Sequence, residues 1–543
     1  MKNWLKSYWP EILVFAGIAA MLLNNTAPDM TWINTDSDGV HYVYAAKYFY
    51  VAHKSGAPLF LLLGHLFLQI PFGTEFWRMA LMSSLATSVS CVLVYKIVRH
   101  YINNRWLGIL GAVMFGGSAL IISQSTIVET YALLTMLSVI GYYFTVKKHF
   151  TSAALAFGFG VAIHPIIGFT ALPLIIFHKE LRRPKQIIIM ASFLVFYLYN
   201  PLVAPFNPPP TDMWGNLKPN DEWHDFLSTA VMLGGGLAIY DFPKRILDTI
   251  GIMAVSLGVG LVCNVIYFSQ QGKAVFKNEL FWVTVIPLAF FMINLAPQTY
   301  VYAMPTIAFG TVAAMVYLSQ AKRVLLYATV VVTSVLFAIN AWNMDIGRTL
   351  DPKLEASRFY HQELSKVPDG QIIMPYNGWE WAMVYAYNKN ENRNIISVSV
   401  DTVASPVYRK VLDGLNVKYR DVGIATQQTV LEKQNELAQS IVEMNDNVWV
   451  TVPYNSENYG AKVVPANHDA SLVMKIMTEP PGKVHWKPSN PYGFITGQIE
   501  VSEWTFITLS NHNMLFFAAV VVVWFILDWI LHGMPRKKHK AIV

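Results

Sequence analysis

Residues 150–178 read FTSAALAFGFGVAIHPIIGFTALPLIIFH, an apolar run interrupted once, at His164-Pro165. Proline lacks an amide donor and its ring crowds the preceding turn, so a helix breaks there. The run is long enough for two short helices that enter an apolar layer from one side and return to it. Other stretches of spanning length, about 17–25 residues each, lie near 9–25, 76–98, 105–124, 127–146, 187–204, 246–269, 279–297, 299–319, 323–342 and 511–532. With 150–178 as a hairpin they make about twelve spanning or half-spanning helices. Basic residues support this count. Lys2/Lys6, Lys96/Arg99/Arg105, Lys147/Lys148, Arg182/Arg183/Lys185, Lys273/Lys277, Lys322/Arg323 and Arg536 to Lys540 fall on one side only if the hairpin is real. The positive-inside rule makes that side cytoplasmic, with both termini on it.

Composition agrees. Hydrophobic residues are 54% of the 543 and charged ones 14%, a balance that makes the bilayer the main solvent. The net charge of +6 comes from clusters beside apolar segments, so it reads as an orientation signal and gives no ground for nucleic-acid binding. Both cysteines, Cys91 and Cys263, fall in apolar segments, which excludes a disulfide framework. The segment Met1 to Ala27 has a basic edge and an apolar run. Met21-Leu-Leu-Asn-Asn25 lacks the small-x-small pattern of signal-peptide cleavage, so a retained helix is expected.

The expected organisation is an all-α polytopic membrane domain over 1–342 with outer loops 26–75 and 205–245. A small extracytoplasmic α/β domain over 343–510 follows, then a transmembrane helix and basic cytoplasmic tail over 511–543. In the α/β region, β-like runs at Gln371–Met374, Ile395–Val400 and Val448–Val452 alternate with helical ones at Leu354–Leu364 and Thr426–Met444. The aromatic run Tyr376 to Tyr385 reads either as ordinary core or as a docking surface.

In the first outer loop, 39–53 and 57–70 are too short or too polar to span and are expected to lie along the membrane surface. Tyr42, Tyr44, Tyr48, Phe49 and Tyr50 suit such an interface, where a ring has one apolar and one wet side. Asp36, Asp38 and His41 gather where this loop meets the membrane. A carboxylate there can serve as a general base, or it can cap the helix that begins near Gly39.

Further polar residues lie beside apolar segments: His53, Arg78, Glu129, His164 and the pair Lys244-Arg245. Ionisable groups at membrane depth are costly and usually face a cavity or a partner. Glu129 can instead favour the N-terminal dipole of the next helix, and His164 can satisfy carbonyls freed by the proline. Lys244-Arg245, on the outer side, suits a lipid phosphate or snorkels to headgroups. The second outer loop, Asn207-Pro-Pro-Pro-Thr-Asp-Met-Trp-Gly-Asn216, stiffens through its prolines and presents Trp214, which can stack on a sugar face.

Taken in order, these residues resemble a known family. Asp38-x-x-His41 followed by His53-Lys-Ser-Gly-Ala-Pro-Leu59 resembles the D-x-x-E … H-P-P-G-x-P-L signature of GT-C-type membrane glycosyltransferases, a family that includes a eukaryotic protein O-mannosyltransferase. Glu129-Thr-Tyr131 resembles its E-x-Y segment, Gly160 to His164 its G-x-x-x-H segment, and Trp214-Gly-Asn216 its second-loop W-G-N/D. The resemblance covers roughly residues 10 to 320 and implies a GT-C-like fold.

It also implies an enzyme that moves a sugar from a polyprenyl-phosphate donor to a protein or lipid acceptor on the extracytoplasmic face. The membrane would be the plasma membrane of a prokaryote or the endoplasmic reticulum. By this resemblance Asp38 is the base and His41 stands where the family has Glu. Asp36, His53, Arg78, Glu129, His164, Trp214, Lys244 and Arg245 are candidate substrate contacts. No cofactor is implied firmly, although a divalent metal is compatible with the family. Two other readings stay open: a non-catalytic GT-C-like assembly subunit, which would explain the loss of the second acid, and a transporter or flippase.

Overall fold

A computed structural model describes residues 2–26, 28–29, 39–52, 57–203, 242–293, 299–343, 356–375, 378–398, 412–423, 430–446, 448–453 and 461–465. It is mostly helical. In chain order the helices are α1 (Lys2–Asn25), α2 (Gly39–Tyr48), α3 (Pro58–Leu68), α4 (Glu75–Ile102), α5 (Arg105–Gly116), α6 (Ala119–Ser125) and α7 (Tyr131–Val146). Then come α8 (Phe150–Ile163), α9 (Gly168–Phe177), α10 (Pro184–Ser192), α11 (Tyr199–Val203), α12 (Phe242–Leu257), α13 (Val259–Gln270), α14 (Glu279–Ile293), α15 (Met304–Leu318) and α16 (Arg323–Asn343). Among the described residues, Glu75–Ile102, Val301–Leu318 and Arg323–Trp342 are each long and apolar enough to cross a membrane, and α5 with α6 makes a further, bent candidate. The chain is an integral membrane protein. The final helix expected over 511–532 lies outside the described residues.

Local chemistry sets the helix ends. Thr74 starts α4 by accepting the Trp77 amide at 3.2 Å. Asn103 ends it in the left-handed region, and Asn104 opens α5 by accepting the amides of Trp106 and Leu107. Two adjacent asparagines thus turn the chain tightly, and α4 and α5 pack as antiparallel neighbours. At the centre, every residue of α15 is buried against α4, α5, α7, α13 and α14. A helix apolar all round requires such a position.

The expected hairpin over 150–178 is present. His164 adopts an extended conformation after α8, and a 3-10 turn over Pro165–Ile167 leads into α9. Three other expected spans are not continuous. The run 105–124 bends by 64° between α5 and α6, where Gly116-Gly117-Ser118 withdraws helix propensity. The run 246–269 breaks at Gly258, whose φ of +53° is strained for any residue with a side chain. Over 187–204, α10 passes through a 3-10 segment, Phe193–Leu198, into α11.

Helices α17 (Ala356–Leu364), α18 (Gly378–Glu391) and α19 (Val430–Met444) flank a sheet of β1 (Ile372–Met374), β2 (Ile396–Ser397), β3 (Val448–Pro453) and β4 (Ala461–Pro465). The strand order is β2-β1-β3-β4, with β1 parallel to both neighbours and β4 antiparallel to β3. Alternation along β1 divides its side chains. Ile372 and Met374 join a small core with Leu437, Ala438 and Ile441 of α19, whereas Ile373 joins the main core with Trp381 and Ala382 of α18. The main core therefore runs without interruption from the helical bundle to one face of the sheet.

Helices α7 and α8 approach closely because Gly141 offers no side chain to the Phe157 ring, which a Cβ there would overlap. Phe157 is 1% exposed and has no free direction to move. We expect Gly141→Leu to destabilise the bundle by about 1–3 kcal/mol through overpacking, read as a lowered thermal midpoint in detergent, with Gly141→Ala milder.

Candidate functional site

The site is built at one end of the bundle, from helix termini. Helix α2 begins at Gly39, directly after Asp38, and places His41 in its first turn at 5% exposure. It is held on three sides. Helix α3 packs beneath it, where His65 Nδ1 lies 3.0 Å from the Ala46 carbonyl. Lys47 pairs with Glu75 at the start of α4, at 2.6 Å. Helix α18 covers the third side, with the Tyr44 hydroxyl 3.8 Å from Met383 Sδ. After α2, Tyr50 folds back so that its hydroxyl reaches the His41 carbonyl at 3.4 Å.

The tyrosines of this loop are not surface anchors. Tyr42 and Tyr50 are 1% exposed and Tyr44 is 6% exposed, because protein rings meet them: Phe60 of α3 meets Tyr42, Phe76 of α4 meets Tyr44, and Trp381 and Tyr385 of α18 meet Tyr50. The two expected surface helices exist as α2 and α3, but their aromatic residues pack inward. Phe49 is the exposed one.

The second component is Glu129, between α6 and α7, 5% exposed. Helix α7 starts at Tyr131, two residues later. Hydroxyls of α4 bond the irregular backbone here. Ser83 donates to the Glu129 carbonyl at 3.2 Å, Ser84 to the Ser125 carbonyl at 2.7 Å, and Thr87 lies 2.6 Å from the Ser125 hydroxyl. The third component is His164, 6% exposed at the hairpin break. Its Nδ1 accepts the Ile166 amide at 3.2 Å, so the neutral ring carries its proton on Nε2. The ring thus satisfies an amide freed by the break, where the sequence suggested carbonyls.

The second and third components approach each other at Tyr302, in a 3-10 segment over Thr299–Ala303 ahead of α15. Its ring centroid is 5.6 Å from that of Tyr131 and 6.4 Å from that of His164. Tyr131, Thr135, Ser138, Ile166, Phe290 and Tyr302 line a small cavity of ≈ 10 Å³ between them, room for about one water. Sequence reading passed over Tyr302. Its signal was faint: two tyrosines, Tyr300 and Tyr302, in a short outer turn after Pro297.

The remaining candidates are placed as follows. Arg78 donates from Nη1 to the Leu68 carbonyl at 2.8 Å and from Nε to the Phe72 carbonyl at 3.0 Å, closing the end of α3. Lys244 and Arg245 lie in the first turn of α12, a helix that packs against α6. Asp36, Asp38, His53 and Trp214 lie outside the described residues. Among the described residues no three His, Cys, Asp or Glu side chains gather as a metal site would require.

Burial pushes the Tyr50 phenol well above its ordinary value of 10, with the neighbouring tyrosines adding to the shift, and burial raises Tyr44 likewise. A raised folded value means that the stabilisation is fully present below the unfolded value and is lost as pH rises above it. We expect the packing around α2 to hold up to about pH 10 and to loosen at more alkaline pH. Ultraviolet titration of tyrosinate should show Tyr44 and Tyr50 ionising only together with a loss of protection in residues 39–50, and Tyr50→Phe should make that loss less steep.

A helical membrane bundle whose broken helices gather polar residues at one end is the class that fold and site define. Comparison with known proteins narrows it: residues 38–187 match the family model described as the protein O-mannosyl-transferase TMEM260 N-terminal domain. The resemblance to a family that includes a protein O-mannosyltransferase thus holds over residues 38–187, a narrower range than 10 to 320. A curated relative, protein O-mannosyl-transferase tmem260 of Dictyostelium discoideum, is 34% identical over 115 residues, which are 20% of this chain and 14% of that protein. The chain therefore aligns with only a small part of its relative. Two solved structures of ArnT from Cupriavidus metallidurans superpose with a TM-score of 0.46. The apo form is 11% identical and covers 75% of this chain and 95% of its own, and the form bound to undecaprenyl phosphate is 12% identical and covers 74% and 94%.

Proposed function

We propose that this protein transfers a sugar from a polyprenyl-phosphate-linked donor to a protein or lipid acceptor on the extracytoplasmic face of its membrane. The observation that carries the reading is the extent of the family match. It opens at Asp38 and takes in His41, Glu129-Thr-Tyr131 and His164 in order. The name of the curated relative supports mannose as the sugar and a protein hydroxyl as the acceptor.

In this reading the donor's lipid tail stays in the bilayer and its phosphate meets the cations Lys244 and Arg245 at the start of α12. Asp38 takes the proton of the acceptor hydroxyl while that oxygen bonds to the anomeric carbon. The bond from that carbon to the phosphate oxygen breaks at the same centre, and the phosphate leaves as an anion that the cations stabilise. His41, at the position of the family's Glu, shares the activation of the acceptor with Asp38. Glu129 and His164 hold the sugar hydroxyls, Asp36 and His53 border the acceptor path, Arg78 braces the loop, and Trp214 stacks on the sugar. Both termini face the cytoplasm, and the region 343–510 lies on the reaction side.

Removing a general base costs about 10²–10⁴-fold in rate. We therefore expect Asp38→Asn to lower transfer by that factor in membranes supplied with a polyprenyl-phosphate mannose and a serine- or threonine-containing acceptor, with Asp36→Asn far milder. Full transfer by Asp38→Asn would reject Asp38 as the base. A wild-type chain that transfers nothing from any polyprenyl-phosphate sugar would instead support the non-catalytic assembly subunit, the reading favoured by His41 in place of an acid.

A further inference from the structure

Helix α18 does more than fill space beside α2. Its Trp381 and Tyr385 rings stack at 5.0 Å, and both meet Tyr50 edge-on, at 6.0 and 5.6 Å. Tyr385 also meets Tyr48 at 5.6 Å. At the far end Asn390 Oδ1 accepts two hydrogen bonds, from Lys47 Nζ at 2.9 Å and from the Tyr48 hydroxyl at 2.7 Å. Lys47 is at the same time paired to α4 through Glu75.

These contacts converge on one element. Tyr50 is bonded through its hydroxyl to the His41 carbonyl, and its own carbonyl accepts from the Tyr199 hydroxyl at 3.4 Å. It sits between Asp38-x-x-His41 and His53, the two parts of the loop signature. Helix α2 itself has only ten residues, too few to be stable alone in water. Its position is therefore imposed by what packs on it.

We propose that α18 is a positioning clamp: through Trp381, Tyr385 and Asn390 it fixes Tyr50 and α2, and so sets where His41 stands. The soluble region is then part of the working site without touching substrate. The role in transfer rests on the proposed function, whereas the mechanical coupling does not. Rate depends steeply on such placement, since a shift of about 1 Å can cost on the order of 10²-fold.

The test uses the full chain in lipid nanodiscs, with hydrogen exchange and transfer measured on the same samples. Trp381→Ala should raise exchange in residues 39–50 by about 10-fold and leave α4 and α15 unchanged. It should lower kcat by about 10–100-fold with the KM for the polyprenyl-phosphate donor little altered. Trp381→Phe, which keeps a ring, should recover most of both. Asn390→Ala removes an exposed side chain and leaves the core intact, so it serves should Trp381→Ala fail to fold. It should raise exchange at the C-terminal end of α2 and lower kcat more modestly.

Unchanged exchange in 39–50 for both variants overturns the clamp. Raised exchange with unchanged kcat overturns its role in positioning. If the wild-type chain transfers no sugar, the proposed function fails, and exchange alone then decides whether α18 holds α2.

Discussion

An apolar bundle tolerates irregular backbone only where something inside the bundle bonds its amides and carbonyls. In this protein that duty falls to the hydroxyl seam of α4. Ser83, Ser84 and Thr87 meet the segment from Ser125 to Glu129, and Thr26 at the end of α1 lies 3.3 Å from Ser84. Without the seam, the stretch between α6 and α7 would expose carbonyls to an apolar surround, at several kcal/mol each. The position of Glu129 and the start of α7 at Tyr131 follow from it.

The second break obeys the same constraint with different chemistry. At His164 the proline interrupts the ladder, and the imidazole accepts the amide left over at Ile166. Tyr302 lies where the two breaks face each other. A continuous helix can present a side chain only at the angles its period allows. Helix ends escape that limit, and four of them gather the polar residues at one end of the bundle.

How much of this was legible in the sequence depended on the type of signal. Pro165 announced its break because proline lacks the amide that a helix ladder needs, although Pro173 and Pro287 sit inside α9 and α14. The bend at Gly116-Gly117-Ser118 was hidden, since glycine inside an apolar run costs only about 1 kcal/mol and small residues are common in membrane helices. Gly258 was hidden for the same reason. Tyr42, Tyr44 and Tyr50 carried an ambiguous signal: an aromatic ring suits a membrane interface and a protein core equally, and for Tyr50 the deciding partner, α18, lies over 300 positions further along the chain. The run Tyr376 to Tyr385 was ambiguous in the same way, and its described part, Trp381 to Val384, is buried in the core. Three of the four strands were legible from β-branched runs, whereas β4, Ala461–Pro465, was not.

The candidate residues were picked out by motif order, and periodicity would not have picked them out. Glu129 and His164 are separated by two helices in sequence, and neither falls on a polar helical face that a period of 3.6 would reveal. Their placement is a property of breaks, and breaks are set by backbone bonding that involves other helices. This explains why Tyr302 escaped notice although it links the two segments. It also explains why the loop tyrosines matter beyond packing. Helix α2 ends free of the bundle's ladder, and its orientation is set by rings from a distant part of the chain and by Lys47 reaching both Glu75 and Asn390. The loop that carries α2 and the sheet region beyond the last described membrane helix are therefore joined through one apolar core.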